Sequence, residues 1–223
     1  MSLKEKLLSS FIAFENQISM ESNLMANLRG EAIKVFENEG FPTKKNEDWK
    51  YTSLTKVLKE DFSVFANTEN TIEYKDVQPY LIQDIDSYKI VFVDGQYASH
   101  LSKTTHEAID VCLMSSALNK SKYQAVIENY FNKIAEKNGL NALNTAFCHE
   151  GAYIHIKRNK LSDRPIQIIH FSTGEEKSLW LQPRNLIVVD QNAQVQTAVG
   201  VFLELRFVWS QRGNPHRDRI VLQ

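Results

Sequence analysis

Cys148, His149 and Glu150 form the only cluster of metal-ligand residue types in this sequence. Zinc sites normally combine two pairs of ligands at short spacing, and no second pair is present. Adjacent residues of a strand also point to opposite faces of the sheet, so Cys148 and His149 are poorly placed to share one ion. We therefore expect a structural role for the cluster.

Asp163 and Asp190 have the residue type that sugar-cleaving enzymes use in pairs. Aspartate is equally common in turns, where it bonds to nearby backbone, so the sequence leaves both roles open. His155 lies between two isoleucines of an alternating pattern, and we expect it to face solvent without a partner. The histidines without a partner at a recognisable spacing are His100, His106 and His170.

Motifs of the common enzyme classes are absent. The sequence contains no G-x-S-x-G, Walker A, G-x-G-x-x-G or HExxH motif, and eight glycines are too few for a hidden phosphate-binding loop. Cys112 lies in an apolar run, which favours a core position. We expect no catalytic residue, no cofactor-binding residue and no metal ligand in this chain, and hence no enzyme.

The composition is that of an ordinary globular protein. The chain has 223 residues, of which 43% are hydrophobic and 24% are charged. Its net charge of −1 favours neither nucleic acid nor an anionic membrane as a partner. No apolar run reaches the roughly 18–20 residues that span a bilayer, and no signal peptide is recognisable. Two cysteines are too few for a disulfide scaffold and suit the cytoplasm, where we expect the protein.

Helical spacing dominates the start of the chain, where two apolar stripes predict two helices. The stripes are Leu3, Leu7, Phe11 and Phe14, and Met25, Leu28, Ala32, Val35 and Phe36. Gly40 and Pro42 predict the end of the second helix. Lys44–Lys50, with Trp49 and the neighbouring Tyr51, mixes basic and aromatic residues. We expect a packed docking element there rather than a nucleic-acid surface, with Asn46 capping a short helix.

The middle of the chain predicts a strand, a hairpin turn and one long helix. Ile90–Val93 has the pattern of a buried strand, and Asp94–Gly95 is a hairpin-turn signal. The helix is expected over Lys122–Asn138, with a capping box at Ser121–Gln124 and Gly139 as its C-terminal stop.

Beyond Gly151 the hydrophobic period changes to two, and short runs rich in Ile and Val follow closely. The runs are Ala152–Ile156, Pro165–Phe171, Ser178–Leu181, Asn185–Asp190 and Ala193–Thr197. Strands at such intervals, without helices between them, argue for a sandwich, a barrel or a β-helix. Asn185 and Asn192 each precede a strand and suit the corners of a coiled sheet.

Residues 198–223 differ from the rest in composition. The preceding residues contain 18 lysines and four arginines, whereas this tail contains four arginines and no lysine. Lys and Arg are close substitutes on a solvated surface, so we hold a change of reading frame as a hypothesis. A genuine terminal strand with a basic tail is the alternative. We expect the apolar segment Val199–Trp209 to add a strand that caps the sheet.

Three stretches of the sequence, taken together in their order along the chain, resemble the SufD proteins of the SUF iron–sulfur cluster assembly system. The SufD proteins are relatives of SufB. The stretches are residues 40–52 (GFPTKKNEDWKYT), residues 143–147 (LNTAF) with Gly151, and residues 183–189 (PRNLIVV). Residues 91–95 (VFVDG) agree with the family pattern too. The first stretch is long and fairly specific, and the resemblance covers roughly residues 25–197.

For the fold, the resemblance implies an α+β chain that ends in the first turns of a right-handed parallel β-helix. The domains expected are a helical N-terminal region over 1–65, an α/β linking segment over 66–140 that ends in an amphipathic helix, the start of the β-helix over 141–197, and an atypical tail over 198–223. In the family the β-helix is longer and a helical region follows. The chain thus corresponds to about the first half of such a protein.

For function, the resemblance implies a non-catalytic scaffold component of iron–sulfur cluster assembly with SufB-like and SufC-like partners, impaired by truncation. The nascent cluster forms on the parent complex, and no cofactor is expected in this chain, because no residue here matches the family's functional cysteine and histidine. A β-helical carbohydrate-active enzyme and a protein–protein adaptor without a cluster role are the alternatives. A coil that is cut short leaves an open edge, so we also expect self-association through that end.

Overall fold

The computed structural model describes residues 1–18, 23–64, 72–82, 84–104, 109–134, 138–148, 150–173 and 179–202. The chain divides into two compact units. The helical unit comprises Met1–Phe65, Met114–Gly151 and Lys177–Leu186, and the strand unit comprises Ala66–Leu113, Ala152–Glu176 and Ile187–Gln223.

The fold is mixed α+β, as the sequence predicts. The helices are α1 (Leu3–Gln17), α2 (Asn23–Glu39), α3 (Tyr74–Val77), α4 (Met114–Leu118), α5 (Ser121–Tyr130) and α6 (Gly139–Ala146). The strands are β1 (Tyr88–Val93), β2 (Gln96–Tyr97), β3 (Ile109–Leu113), β4 (Ala152–Ile156), β5 (Ile166–Phe171), β6 (Leu186–Val189) and β7 (Thr197–Phe202). No helix in this described part of the chain is long and apolar enough to cross a membrane.

The helical unit is built around the predicted apolar faces of α1 and α2. All four residues of the first stripe are buried, as are Met25, Ala32 and Phe36 of the second, whereas Leu28 and Val35 are half-buried. α6 completes this core through Leu143 and Ala146. The ring of Phe147, which follows α6, lies 5.8 Å from that of Phe11 and 5.1 Å from that of Phe14.

The predicted end of α2 is confirmed, and the predicted cap after it is corrected. Gly40 has a φ of 67° and its N–H donates to the Phe36 carbonyl at 2.8 Å, which is the left-handed stop that glycine permits. A 3₁₀ turn does begin at Glu47. The Asn46 side chain accepts from the N–H of Thr43 at 2.9 Å, however, and makes no capping bond to that turn.

The long helix expected over Lys122–Asn138 is shorter, because α5 ends at Tyr130. Phe131 is extended, and Asn132 takes a left-handed φ of 58°. Ile134, which the predicted stripe would bury, is 89% exposed.

Both predicted ends of that helix are also wrong. Lys120 is the N-cap of α5 and makes no side-chain capping bond, while the Gln124 amide donates to the Leu118 carbonyl at 3.5 Å. Gly139 begins α6, which Asn138 caps by accepting from the N–H of Asn141 at 2.9 Å. Residues 141–146, at the start of the region 141–197 that was expected to be β-helix, therefore lie in α6.

The strand unit contains a four-stranded sheet in the order β2-β1-β5-β7. The predicted hairpin turn is confirmed, because Asp94 and Gly95 have φ values of 48° and 80° and join antiparallel β1 and β2. β1, β5 and β7 run parallel. Val91, Ile169 and Phe171 lie on the face covered by the α3 region.

A three-stranded sheet, in the order β3-β4-β6, contributes the second layer. β3 is antiparallel to β4. Apolar side chains of both sheets meet in one core whose fully buried members include Ile154, Ile156, Ile166 and Ile168. Successive strands β4, β5, β6 and β7 therefore alternate between two sheets that share an apolar interior.

The strands predicted beyond residue 173 are confirmed in part. β6 lies within the predicted Asn185–Asp190 run. The predicted strand Ala193–Thr197 is wrong, because only Gln194 makes an isolated bridge there and β7 begins at Thr197. Of the Ser178–Leu181 run, Leu179 forms a parallel bridge with Ser63, and Ser178 lies outside the described residues. The strand expected from Val199–Trp209 is present up to Phe202, and its remainder lies outside the described residues.

Candidate functional site

The predicted Cys148–Glu150 cluster is embedded in structural contacts. Cys148 is 1% exposed, and its carbonyl accepts from the guanidinium of Arg29. The Glu150 carboxylate accepts from the Ser115 hydroxyl at 2.7 Å and from the Gly151 N–H at 3.0 Å. His149 lies outside the described residues, among which no three His, Cys, Asp or Glu side chains are placed to hold a metal ion.

Arg184 is the centre of a polar cluster in the helical unit. Its guanidinium donates to the side-chain oxygens of Asn132 at 2.8 Å and Asn144 at 3.2 Å, and to the Thr145 hydroxyl. It also lies over the ring of Phe131, 5.1 Å from the ring centre. A planar guanidinium suits this task because its donors point in fixed directions.

The guanidinium of Arg184 donates to neutral oxygens in this cluster. Burial lowers the pKa of Arg184, and Cys148 acts in the opposite direction. Arginine keeps its charge under any such shift, so the cluster carries a partly buried positive charge. Its three acceptors are stabilising only while the guanidinium stays between them.

Glycine is required beside Arg184 for a steric reason. A Cβ atom on Gly151 would lie 1.8 Å from the carbonyl oxygen of Arg184, which is backbone and cannot move aside cheaply. The Arg184 N–H donates to the Glu150 carbonyl at 3.3 Å, which holds the two segments at this distance. Two of the three stretches that carry the resemblance, LNTAF with Gly151 and PRNLIVV, therefore meet at Arg184.

His155 was expected to be exposed and alone, and that expectation is wrong. Its side chain is only 13% exposed, and Nε2 lies 3.0 Å from the Asp190 carboxylate. Nδ1 lies 3.4 Å from the Tyr153 hydroxyl. The histidine thus links β4 to the residue that follows β6, a connection that no local spacing could reveal.

The remaining candidates occupy structural positions. Nε2 of His100 lies 2.9 Å from the Ile72 carbonyl, and His106 lies outside the described residues. His170 is 7% exposed, and its ring stacks on Phe92 at 4.7 Å. Cys112 is half-buried on β3, and Cys112 and Cys148 are thiols rather than a disulfide.

The two carboxylates weighed for sugar cleavage lie in separate contacts. Asp163 accepts from the Tyr88 hydroxyl at 3.0 Å and lies beside Arg164, whereas Asp190 is engaged by His155. Neither contact places a second carboxylate across a space where a glycosidic bond would lie. This arrangement favours the turn roles that the sequence left open.

Asparagines mark two corresponding corners of the strand unit. Asn159 follows β4 and Asn192 follows β6, and both have a φ of 59°. The Asn192 amide donates to the Asn159 side-chain oxygen at 3.2 Å. Asn192 is left-handed, as suits the predicted corner, and bonds to Asn159, but the strand expected directly after it does not form.

Residues 1–168 match the family model of the SufBD protein N-terminal region. The chain belongs to the SufBD family. The resemblance to SufD drawn from the three stretches is therefore confirmed at the level of the family.

Two curated SufBD relatives show how much of such a protein is present. An iron–sulfur cluster assembly SufBD family protein of Synechocystis is 24% identical over 179 residues, which are 80% of this chain and 39% of that protein. The iron–sulfur cluster assembly protein SufD of Escherichia coli is 26% identical over 136 residues, 60% of this chain and 29% of that protein. The chain therefore aligns with well under half the length of either relative.

Proposed function

We propose that this chain is a non-catalytic scaffold component of iron–sulfur cluster assembly and that β4–β7 are the first turns of a right-handed parallel β-helix. One observation carries the proposal: β7 stacks on β5 in parallel, from Ile166 beside Thr197 to Phe171 beside Phe202 without a slip in register. Each turn of the β-helix, or rung, would consist of one strand from each of the two sheets, and a corner would join the two strands.

Equivalent points of the two rungs also pair outside the strands. Leu161 and Gln194 form a parallel bridge, and the Asn159 N–H donates to the Gln191 carbonyl at 3.2 Å. The space between the sheets is filled by isoleucine, valine and aromatic side chains, which supports a scaffold rather than a substrate cavity. Solenoids of this kind offer extended surfaces to partners.

We propose SufB-like and SufC-like proteins as the partners. Support comes from family membership and from the relatives, both of which are named as iron–sulfur cluster assembly proteins. In this proposal the iron–sulfur cluster is cargo of the complex, and the chain itself holds no cofactor. The two thiols suit the reducing cytoplasm, which we propose as its location.

Among the described strands, β7 lies at one end of its sheet and supplies a surface for association. All six residues of β5 are buried, whereas its neighbour β7 is only half-buried over Ala198–Phe202. Half-buried apolar side chains beside a strand edge favour pairing with another chain. We propose this edge as the site of self-association or of contact with a partner rung.

The test is co-purification of the tagged chain with SufB-like and SufC-like proteins, combined with light scattering of the chain alone. We expect retention of at least the SufB-like protein, and we expect Ala198→Lys on β7 to weaken both pairing and self-association. Gln191→Lys, at an exposed corner, is the matched control. A monomer at high concentration that retains neither partner would contradict the proposal, as would activity on polysaccharides.

A further inference from the structure

Tyr51 is the most exposed aromatic ring in the described part of the chain. It is 91% exposed, while the next aromatic side chains, Tyr130 and Tyr74, are 50% and 49% exposed. The ring lies at the end of residues 40–52, the stretch with the most specific family resemblance. A large ring that contributes so little to its own core is the side chain that protein interfaces use as an anchor.

Local hydrogen bonds hold the backbone around Tyr51 in one shape. The N–H of Trp49 donates to the Asn46 carbonyl at 3.0 Å, and that of Thr52 donates to the Trp49 carbonyl at 3.0 Å. The N–H of Asn46 in turn donates to the Thr43 carbonyl at 2.9 Å. The segment is thus ordered before any partner arrives, which lowers the entropy cost of binding.

The segment around Tyr51 carries a net positive charge. Residues 43–59, named here the basic segment, contain the five lysines Lys44, Lys45, Lys50, Lys56 and Lys59 and the two acids Glu47 and Asp48. All five lysines are exposed, and Lys50 lies over the Tyr51 ring, 5.6 Å from its centre. Val57 adds an exposed apolar side chain at 43%. The whole chain, in contrast, has a net charge of −1.

We propose that the basic segment docks on an acidic protein surface that receives the Tyr51 ring in an apolar recess. The lysines would lie at the rim, where charges steer association and select the partner. A protein is favoured over nucleic acid because Glu47 and Asp48 lie between the lysines. A protein can place a neutral or basic group opposite these two acids, whereas a phosphate backbone is negative throughout. The contact is separate from the β7 edge and does not depend on the proposed function.

The experiment measures binding of fluorescent probes to the full chain by anisotropy. The probe is a synthetic peptide of alternating glutamate and leucine, and the comparison probes are its lysine–leucine counterpart and an oligouridylate. We expect the acidic peptide to bind weakly but measurably. Tyr51→Ala should lower its affinity by about fivefold or more. The double change Lys44→Gln and Lys45→Gln should lower the affinity and flatten its dependence on salt.

Matched variants separate this contact from general surface attraction. Tyr130→Ala removes the next most exposed tyrosine, and Lys133→Gln removes an exposed lysine of the same unit. Both should leave the affinity for the acidic peptide unchanged. The proposal is overturned by tighter binding of the oligouridylate, by equal losses in the control variants, or by no acidic-peptide binding up to about 1 mM.

Discussion

The side-chain amide of Asn192 donates to the side-chain oxygen of Asn159 at 3.2 Å, and both residues have a φ of 59°. The two asparagines occupy the same position after β4 and after β6. Asparagine accepts the left-handed conformation more readily than most residues, and stacked amides hydrogen-bond from one layer to the next. This pair therefore joins the segment that follows β4 to the segment that follows β6.

Two substitutions of Asn192 should separate the contribution of its amide hydrogen bond to stability from that of its left-handed backbone. Asn192→Ala loses the amide bond and strains the backbone, so we expect the free energy of unfolding to fall by about 1–3 kcal/mol. Asn192→Gly loses the bond but keeps the conformation, and should cost less. Urea unfolding measures both, with Gln191→Ala as the control. An alanine variant as stable as the glycine variant would show that the corner carries no strain.

Gly151 and Gly30 form a matched pair of glycines in the helical unit. Gly151→Ala places a Cβ 1.8 Å from the Arg184 carbonyl oxygen, so the backbone must move and we expect a loss of several kcal/mol or failure to fold. Gly30→Ala in α2 meets nothing within 4 Å and should stabilise the protein by about 0.5–1 kcal/mol. Thermal unfolding of both variants checks the prediction, and similar effects at the two positions would refute it.

The stability of the protein should depend on the planar set of hydrogen-bond donors that Arg184 provides. In Arg184→Met the oxygens of Asn144 and Thr145 lose their guanidinium donor, and the Asn132 oxygen keeps only the Thr145 hydroxyl at 3.1 Å. We expect the free energy of unfolding to fall by about 2–4 kcal/mol. Arg184→Lys should recover less than half, because one ammonium cannot reproduce the fork.

The control for Arg184 is Arg164→Met. The Arg164 side chain is 36% exposed and forms surface ion pairs, so its loss should cost less than about 1 kcal/mol. Equal losses at the two arginines, measured by urea unfolding, would remove the special role assigned to Arg184.

Because His170 is buried, we expect the stability of the protein to depend on pH. Burial lowers the pKa of His170 to about 4 from its ordinary value of 6.5. The unfolded chain therefore binds a proton at a higher pH than the folded chain, and protonation favours unfolding. The contribution of the neutral ring is complete above pH 6.5 and is lost as the pH falls towards 4, by up to about 3 kcal/mol.

The test compares unfolding of the wild type and of His170→Phe across that pH range. The phenylalanine keeps a ring against Phe92 but does not titrate, so its curve should be flatter between pH 6.5 and 4. Parallel curves for the wild type and His170→Phe would show that another group is responsible.

Patterns in the sequence predicted those helices, strands and turns that are determined by residues close together in the chain. The first apolar stripe of α1, the glycine stop of α2, the Asp94–Gly95 turn and the strands β4 and β5 all depend on neighbours within a few residues. Periodicity and turn chemistry report such contacts directly. The α+β class, which the resemblance implied, agrees with these elements.

The contacts that sequence reasoning missed join residues far apart in the chain. α5 ends early at Tyr130, and Asn132, left-handed just beyond it, is bonded to Arg184. His155 is paired because Asp190, 35 residues further along the chain, lies beside it. One indication of the Arg184 cluster was present in the sequence: Arg184 and Asn144 both lie in stretches that carry the resemblance. That indicates that the two residues matter, but it does not predict that they are in contact.

The central claim is that the strands after Gly151 stack as successive layers, with Asn192 on Asn159. Paired cysteines test it most directly, since a disulfide forms only when the two Cα atoms lie within about 7 Å. The account predicts that Asn159→Cys with Asn192→Cys cross-links under mild oxidation in the folded protein, whereas Asn159→Cys with Gln196→Cys does not. Failure of the first pair, or equal cross-linking of both pairs, would contradict the layered arrangement.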